Sequence, residues 1–221
     1  MSARIRVLVA DDQRLFRDGI AMLLESQADL ELVGSAATGV EAVDLAAATR
    51  PDVMLMDIRM PVLDGLSATE RLLTAPVPLG GAAPRVLVVT TFRRDEAVAR
   101  AIRAGASGFV TKDAQPEFLL AAIRTVHAGQ AVIAPAATFD LLARFSQPVR
   151  EARPDLIEVL SPREKEIFLL AAKGLSNAEI AADAFVEETT VKTHVGSILA
   201  KLGLRSRVQV VAFAWENGLV G

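Results

Sequence analysis

One stretch decides the fold of this chain: Pro51-Asp52-Val53-Met54-Leu55-Met56-Asp57-Ile58-Arg59-Met60-Pro61. Val53 to Met56 is an unbroken apolar run of strand length, which is typical of a strand buried on both faces of a parallel sheet. The run ends on Asp57, and Pro61 interrupts any regular continuation. Ligands of open α/β sheets bind beyond the carboxyl ends of the strands, so we expect Asp57 to lie where chemistry takes place. On this strand alone, an aspartate that merely caps the next turn is an equal alternative.

The composition excludes several classes of protein. The chain has 221 residues, 52% hydrophobic and 23% charged, which is enough for a sizeable core in one large or two ordinary domains. It has no cysteine, which excludes disulfides and thiolate metal sites and is compatible with a reducing compartment. The net charge of −3 gives no indication of nucleic acid. We find neither a signal peptide nor an apolar run of about 18 residues, and we therefore expect a cytoplasmic protein without a membrane partner.

Strands and helices alternate through the first half of the chain. The predicted strands are Ile5–Ala10, Leu30–Val33, Val53–Met56, Arg85–Thr90 and Gly108–Lys112. Helical periodicity lies between them, and a fifth helix begins at Pro116 and runs to about His127. This alternation predicts an α/β fold with a five-stranded parallel sheet that is covered by helices on both faces.

Polar residues end four of these strands, and parallel strands deliver them to one edge of the sheet. They are Asp11 and Asp12, Asp57, Thr90 and Lys112. Crowded carboxylates repel one another unless a cation neutralises them, and Mg²⁺ binds one or two carboxylates together with water. A metal ion and a lysine stabilise an arriving phosphoryl group, and a threonine hydroxyl can bind one of its oxygens. The alternative is that these five residues merely end their strands. However, the order of acids, hydroxyl and lysine is improbable by chance.

At these residues the sequence resembles the receiver domain of two-component response regulators, over roughly Arg4 to Gly129. The resemblance also includes Met60-Pro61, Gly65 and Gly105-Ala106-Ser107-Gly108. It implies a flavodoxin-like fold in which Asp57 accepts a phosphoryl group from the histidine of a sensor kinase. It also implies that Asp12 and Asp57 bind Mg²⁺, with Asp11 acting partly through water and the backbone carbonyl of Arg59 as a further ligand. Thr90 and Phe109 would form the switch pair, although Phe109 alone reads as a plain core aromatic.

The second half of the chain is helical. Residues 130–155 lack periodicity and contain several prolines, which predicts a linker with one possible short helix from Thr138 to Phe145. Three sequences of the capping-box type follow, beginning at Ser161, Ser176 and Ser206. Four helices in about sixty residues, two of them joined by a short turn, suggest a helix-turn-helix module.

The third of these helices, from Thr189 to Lys201, has two different faces. Its apolar residues share one side, which predicts burial of that side: Val191, Val195, Ile198 and Leu202. Small residues occupy the other side, with lysines at its borders: Thr189, Thr193, Gly196, Ser197, Ala200, Lys192 and Lys201. A merely solvated helix would more often carry Glu and Lys there, and the small residues instead favour close approach to a partner.

Several segments resemble the LuxR-type helix-turn-helix domain: residues 160–164, 174–181, 190–195, 201–204 and 207–209. The whole chain is thus similar to the NarL/FixJ family of transcription regulators. The domains implied are a receiver at 1–129, the linker, and a DNA-binding domain at 156–221. The DNA contacts predicted on this basis are Ser176, Asn177, Thr189, Lys192, Thr193, Ser197, Lys201 and Arg205. The last helix is broadly apolar, which predicts a homodimer surface that includes Val208, Val211 and Trp215.

Two features depart from the family pattern. Glu187 occupies the position where a serine-like cap is usual, and Gly196 weakens the helix centre by about 0.5–1 kcal/mol relative to alanine. From Asp155 onward, seven basic and nine acidic residues give a net charge of −2. We therefore expect weak non-specific DNA binding and a dependence on dimerisation.

The sequence predicts a response regulator, not an enzyme, in which phosphorylation of Asp57 controls dimerisation and binding to promoter DNA. Two alternatives rank lower. A metal-dependent phosphohydrolase would need a second acid beside its nucleophile, and residues 58 and 59 are not acidic. A regulator with a relic acidic site would lack some of the site residues, which are all present.

Overall fold

The computed structural model describes residues 3–74, 83–91, 95–133 and 153–220. Strands and helices alternate in its N-terminal part, as the sequence predicts. The strands are β1 (Ile5–Ala10), β2 (Leu30–Ala36), β3 (Val53–Met56), β4 (Arg85–Thr90), β5 (Gly108–Thr111) and β6 (Val132–Ile133). The helices are α1 (Arg14–Glu25), α2 (Gly39–Thr49), α3 (Gly65–Thr74), α4 (Asp95–Ala104) and α5 (Pro116–His127).

The described strands form one parallel sheet in the order β2-β1-β3-β4-β5-β6. Strand β3 lies between β1 and β4, where Met56 pairs with Ala10 and with Val88. Met54 and Met56 pack in the cluster under α2, α3 and α4, whereas Val53 and Leu55 pack in the cluster under α1 and α5. Because both faces of β3 are buried, its sequence is apolar without alternation.

The sheet extends one strand beyond the five that the sequence predicts. The two-residue strand β6 pairs with β5 through Gly108 and Phe109. Strand β6 lies within residues 130–155, which the sequence predicts to be a linker. An apolar run of two residues has no recognisable periodicity, so this strand could not be predicted. The possible helix at Thr138 to Phe145 lies outside the described residues.

A tight turn follows Asp57 at the end of β3. The backbone N–H of Gly65 donates to the carbonyl of Ile58 at 2.9 Å. A Cβ atom at Gly65 would lie 1.8 Å from the Asp57 carbonyl oxygen, so only glycine permits this approach. Gly65 therefore holds α3 directly against the end of the strand that carries Asp57.

The same turn contains a strained residue. Val62 has φ +68°, 88% of its surface is exposed, and its neighbours close a three-residue turn in which the Leu63 N–H donates to the Pro61 carbonyl. A β-branched residue with positive φ strains the folded backbone by about 1–3 kcal/mol. Glycine avoids this strain, but the greater freedom of the unfolded chain lowers the stability by about 0.5–1 kcal/mol. We expect Val62→Gly to raise the free energy of unfolding by about 1 kcal/mol in urea titrations followed by far-UV circular dichroism.

Val40→Gly is the control for this prediction, because Val40 is also partly exposed but lies in α2. It should lower the free energy of unfolding by about 0.5 kcal/mol. Equal destabilisation by both substitutions would show that Val62 is not strained.

The C-terminal part is all-helical and has its own core. Its helices are α6 (Pro162–Ala172), α7 (Asn177–Asp183), α8 (Glu188–Leu202) and α9 (Arg207–Glu216), preceded by a 3₁₀ turn at Pro154–Ile157. The core contains Phe168 and Phe213, whose rings meet edge to face with centroids 6.2 Å apart. This core explains how a short segment of four helices forms a separate unit.

The predicted helix caps are partly confirmed. Ser161 and Ser176 each form a complete capping box with the glutamate three residues later. The third capping box, at Ser206, is half-formed. The Ser206 side chain accepts from the Gln209 N–H, but the Gln209 side chain accepts from the N–H of Arg205 instead of that of Ser206. Glu187 makes no side-chain cap to α8, as its residue type predicts.

Candidate functional site

The carboxyl ends of four strands meet at one edge of the sheet. The N–H of Asp57 donates to the Ala10 carbonyl at 2.8 Å, and the N–H of Lys112 donates to the Thr90 carbonyl at 2.9 Å. The sheet hydrogen bonding thus continues one residue past each strand and fixes the backbone of these residues. The structure brings Asp11, Asp57, Thr90 and Lys112 to the same edge, as predicted.

Lys112 lies between two buried carboxylates. Its Nζ atom is 2.6 Å from Asp11 Oδ2 and 3.1 Å from Asp57 Oδ2, and all three side chains are almost inaccessible. Burial raises the pKa of the Asp57 carboxyl above its ordinary value; the hydrogen bond from Lys112 opposes this shift, and the charge of Asp11 adds to it. Lys112 is therefore placed to neutralise negative charge that accumulates at Asp57.

The acidic residues form a cluster of oxygen ligands. One carboxylate oxygen from each of Asp11, Asp12 and Asp57 lies within 4.8 Å of the others, and Asp12 alone is exposed. Hard cations such as Mg²⁺ prefer an oxygen-only set of this kind. Arg59 follows Asp57 by two residues, in the loop after β3. The donor set is therefore compatible with magnesium.

The two residues predicted to form a switch pair are both buried. Thr90 ends β4 and is 1% exposed, and Phe109 lies in β5 and is 3% exposed. Phe109 packs in the cluster that also contains Met56, next to Asp57 along the chain. Both members of the predicted switch pair are therefore held in the packed interior of the receiver sheet.

The sequence did not reveal three neighbours of the acidic cluster. The Phe16 ring lies 4.7 Å from Lys112 Nζ, in cation–π geometry. The Arg17 guanidinium donates to the Asp11 carbonyl at 2.5 Å, and the Gln13 N–H donates to Asp11 Oδ1 at 2.9 Å. Only the last of these had a local signal, since aspartate commonly accepts from the N–H two residues later.

Helix α8 buries the face that its sequence predicts. Val191, Val195 and Ile198 are buried in the C-terminal core. Thr189, Lys192 and Thr193 are exposed on the other side, and Ser197 is half-buried. No atom lies within 4 Å of a Cβ built on Gly196, so this face is open at its centre. The exposed surface of α8 is small, polar and accessible.

The Thr193 hydroxyl already has a partner within the helix. It donates to the Thr189 carbonyl at 3.0 Å. Its proton is therefore engaged, and its oxygen remains an acceptor. Thr193 can present a methyl group and an acceptor to a partner, but not a donor.

Asn177 does not lie on the predicted DNA-facing surface. It is 2% exposed, and its Oδ1 atom accepts from Arg207 Nη1 at 2.7 Å. The guanidinium of Arg207 also donates to the Leu175 carbonyl, so this buried arginine joins the start of α9 to the start of α7. Ser176 is half-buried and caps α7. The prediction for the Asn177 side chain is wrong in this arrangement, because a buried guanidinium requires acceptors.

Two of the predicted DNA-binding cations also have other partners. Lys201 Nζ lies 2.6 Å from Glu164 Oε2, so Lys201 joins α8 to the capping box of α6. Arg205 is exposed but lies against Gly105, where a Cβ atom would be 3.2 Å from that of Arg205. Lys192 remains the cation on the open face of α8.

Glu164 provides a test of the contact with Lys201. The hydrogen bond from Lys201, followed by that from the Ser161 N–H, lowers the pKa of Glu164 to about 2. A lowered carboxyl pKa stabilises the fold above the unfolded value of 4.5 and ceases to do so as the pH falls toward 2. Glu164→Gln should therefore lower stability at pH 7, and the deficit should shrink between pH 4.5 and 2.

The measurement uses the single tryptophan of the chain, Trp215, whose fluorescence reports unfolding of the C-terminal part. Urea midpoints of Glu164→Gln and the parent protein are compared at several pH values. Glu166→Gln is the control, since Glu166 pairs with Arg163 on the surface of the same helix. A deficit that did not change with pH would exclude the ionised contact as its cause.

The residues predicted for a dimer surface fall into different environments. Val208 is buried, whereas Val211 and Trp215 are half-buried. Val208 packs with residues of the N-terminal part, in the cluster that contains Phe109. The apolar surface of α9 is therefore partly covered within the chain itself.

Comparisons with known proteins agree with both halves of the chain. Residues 7–124 match the family model of the response regulator receiver domain, and residues 158–214 match that of the bacterial regulatory proteins of the luxR family. The uncharacterized transcriptional regulatory protein YxjL of Bacillus subtilis is 38% identical over 218 residues, which is 98% of each chain. The response regulator protein VraR of Staphylococcus aureus is 37% identical over 216 residues, covering 98% of this chain and 99% of VraR.

A solved structure matches along the whole length. The crystal structure of the response regulator ChrA from a heme-sensing two-component system has a TM-score of 0.54 and 33% identity, covering 99% of this chain and all of ChrA. Among the described residues, no helix is long and apolar enough to cross a membrane. With a receiver-type sheet followed by a LuxR-type helical domain, and with relatives that match almost end to end, this chain belongs to the NarL/FixJ family of two-component response regulators.

Proposed function

We propose that Asp57 is the phosphoacceptor and that its phosphorylation by a sensor histidine kinase controls dimerisation and binding to promoter DNA. The observation that carries the proposal is the position of Asp57 at the end of β3, buried beside Lys112 and within the acidic cluster. A buried nucleophile with a cation at 3.1 Å has the charge environment that phosphoryl transfer requires.

In the proposed transfer, an Asp57 carboxylate oxygen forms a bond to phosphorus as the bond from phosphorus to the histidine nitrogen of the kinase breaks. Bound Mg²⁺, held by Asp12 and Asp57 with Asp11 and the carbonyl of Arg59, would neutralise charge on the phosphoryl oxygens. Lys112 can move from the Asp57 carboxylate to a phosphoryl oxygen while it keeps its contact with Asp11. The acyl phosphate is then stabilised by groups that are already in place.

The response to phosphorylation begins at Thr90 and Phe109. The Thr90 hydroxyl would bind a phosphoryl oxygen. The space that the Thr90 side chain leaves would then admit the Phe109 ring more deeply. Since Phe109 packs in the cluster that extends to α9, a change in this ring alters the support of the C-terminal part. Phe109 and Val208 belong to one packed cluster, and this cluster is the route proposed for the signal.

The DNA-binding role is proposed for the open face of α8. Lys192 can reach a phosphate or a guanine edge, and Thr193 can contact a thymine methyl group. With Gly196 bare and Ser197 short, few direct base contacts are available, so part of the specificity should come from the shape of the DNA. Two copies of α8 in a dimer would read half-sites about one helical turn apart.

The experiment combines three measurements on the full chain. A small phosphodonor with Mg²⁺ is added, and intact mass reports the gain of one phosphoryl group. Sedimentation then reports the oligomeric state, and anisotropy of a labelled promoter fragment reports binding. Phosphorylation without a change in oligomeric state or DNA affinity would contradict the proposed output.

A further inference from the structure

Phe16 lies where the core-facing side of α1 reaches the acidic edge of the sheet. Ile20 and Leu24, one and two turns later on the same side of the helix, are buried in the cluster under α1 and α5. Phe16 itself is only half-buried and packs at the border of that cluster. Its ring therefore meets the proposed phosphorylation site as well as the apolar core.

The Lys112 ammonium has two carboxylates and one aromatic ring as neighbours. Its Nζ atom lies 2.6 Å from Asp11 Oδ2 and 3.1 Å from Asp57 Oδ2, and the centre of the Phe16 ring is 4.7 Å from the same nitrogen. Only 6% of the Lys112 side chain is exposed, so the ring occupies space that water would otherwise fill. A cation with little access to water gains more from an aromatic face than an exposed cation does.

Two hydrogen bonds fix the first turn of α1, and with it Phe16, relative to this cation. The Gln13 N–H donates to Asp11 Oδ1 at 2.9 Å, and the Arg17 guanidinium donates to the Asp11 carbonyl at 2.5 Å. Gln13 and Arg17 lie on either side of Phe16 along the chain, and Asp11 is the residue that also contacts Lys112. The ring, the carboxylate and the ammonium are thus held together through Asp11.

We propose that Phe16 is a positioning residue for phosphoryl transfer, whose ring holds the Lys112 ammonium between Asp11 and the acceptor Asp57. The inference rests on the proposed function, because it specifies how Lys112 is held ready for the phosphoryl group. In the transfer, Lys112 exchanges the Asp57 oxygen for a phosphoryl oxygen and keeps its contact with Asp11. The ring lets the ammonium move this short distance without acquiring a water shell, and a donor already in place needs no reorganisation as charge develops.

Phe16→Leu tests this role, since leucine keeps an apolar side chain at the border of the core but has no aromatic face. The full chain is mixed with acetyl phosphate and Mg²⁺, and intact mass measured over time gives the rate of labelling. We expect this rate to fall about five- to tenfold relative to the parent protein, because the ammonium is held less well as the phosphoryl group arrives. Phe16→Tyr keeps the ring and should be labelled at nearly the parent rate.

Phe118→Leu is the matched control. Phe118 is a partly exposed phenylalanine of α5 in the same domain, and its replacement is the same chemical change. It should be labelled at the parent rate. Far-UV circular dichroism shows that each variant is folded before its rate is compared.

A second measurement needs no phosphodonor. In protein with ¹³C-labelled lysine, the methylene protons next to Lys112 Nζ should resonate upfield of those of the other lysines, because they lie by the face of the Phe16 ring. Lys112→Arg identifies the signal by removing it. The upfield shift should be lost in Phe16→Leu and kept in Phe16→Tyr.

The outcomes separate this inference from the proposed function. Labelling of Phe16→Leu at the parent rate would overturn the inference, and so would a Lys112 signal that is the same in this variant as in the parent. An equal loss of rate in Phe16→Leu and Phe16→Tyr would also overturn it, since the aromatic face would then not be the cause. A parent protein that acetyl phosphate does not label would contradict the proposed function itself, and the inference with it.

Discussion

Asp57→Asn is expected to abolish labelling of the protein by a small phosphodonor in the presence of Mg²⁺. An amide cannot form the acyl phosphate, and Asp57 is the buried carboxylate that directly follows the central strand β3, 3.1 Å from Lys112 Nζ. Lys112 should still pair with Asp11, which lies 2.6 Å from it, so the fold should persist. Intact mass should therefore show no phosphoryl group on a protein with an unchanged circular dichroism spectrum.

Two further aspartates complete this experiment. Asp52→Asn is the matched control, since Asp52 precedes the same strand and accepts from the Arg6 N–H at the opposite end of the sheet. It should be labelled like the parent protein. Asp11→Asn should be labelled more weakly, because it removes one acid of the cluster but not the acceptor. Full labelling of Asp57→Asn at another residue would falsify the assignment.

Lys192→Ala and Thr193→Ala are expected to weaken DNA binding in different ways. If Lys192 contacts a phosphate, its loss should weaken all sequences about equally and flatten the dependence of log affinity on log salt by about one unit. Thr193→Ala should leave this slope unchanged but reduce discrimination at one base position per half-site, by about 1–3 kcal/mol at most. Anisotropy titrations at several salt concentrations, on cognate and scrambled sites, measure both effects.

Lys201→Ala is the control that distinguishes the two lysines of α8. The Lys201 amine is engaged by Glu164, so its removal should lower the urea midpoint reported by Trp215 and leave the salt slope nearly unchanged. A flatter salt slope for Lys201→Ala, together with an unchanged slope for Lys192→Ala, would place the DNA on a different side of the helix. Unchanged binding by both Lys192→Ala and Thr193→Ala would show that α8 is not the reading helix.

Local patterns in the sequence were enough to predict which residues meet at the edge of the receiver sheet. An apolar run without alternation, an acid at its end and the repeat of strand and helix are features of consecutive residues. Parallel strands then bring their carboxyl ends to one edge whatever the details of packing. The same holds for the buried face of α8 and the capping boxes at Ser161 and Ser176, which depend on positions three or four residues apart.

Only the tertiary structure decided which polar side chains were already engaged. Asn177 meets Arg207 across 30 residues, Lys201 meets Glu164 across 37, and Gln209 meets Arg103 across 106. Each pair joins elements whose relative position is set by the packing of apolar faces, which no local period records. The sequence alone therefore determined the fold class and the placement of Asp11, Asp57, Thr90 and Lys112 at one edge of the sheet, whereas tertiary contacts decided which polar side chains remain exposed.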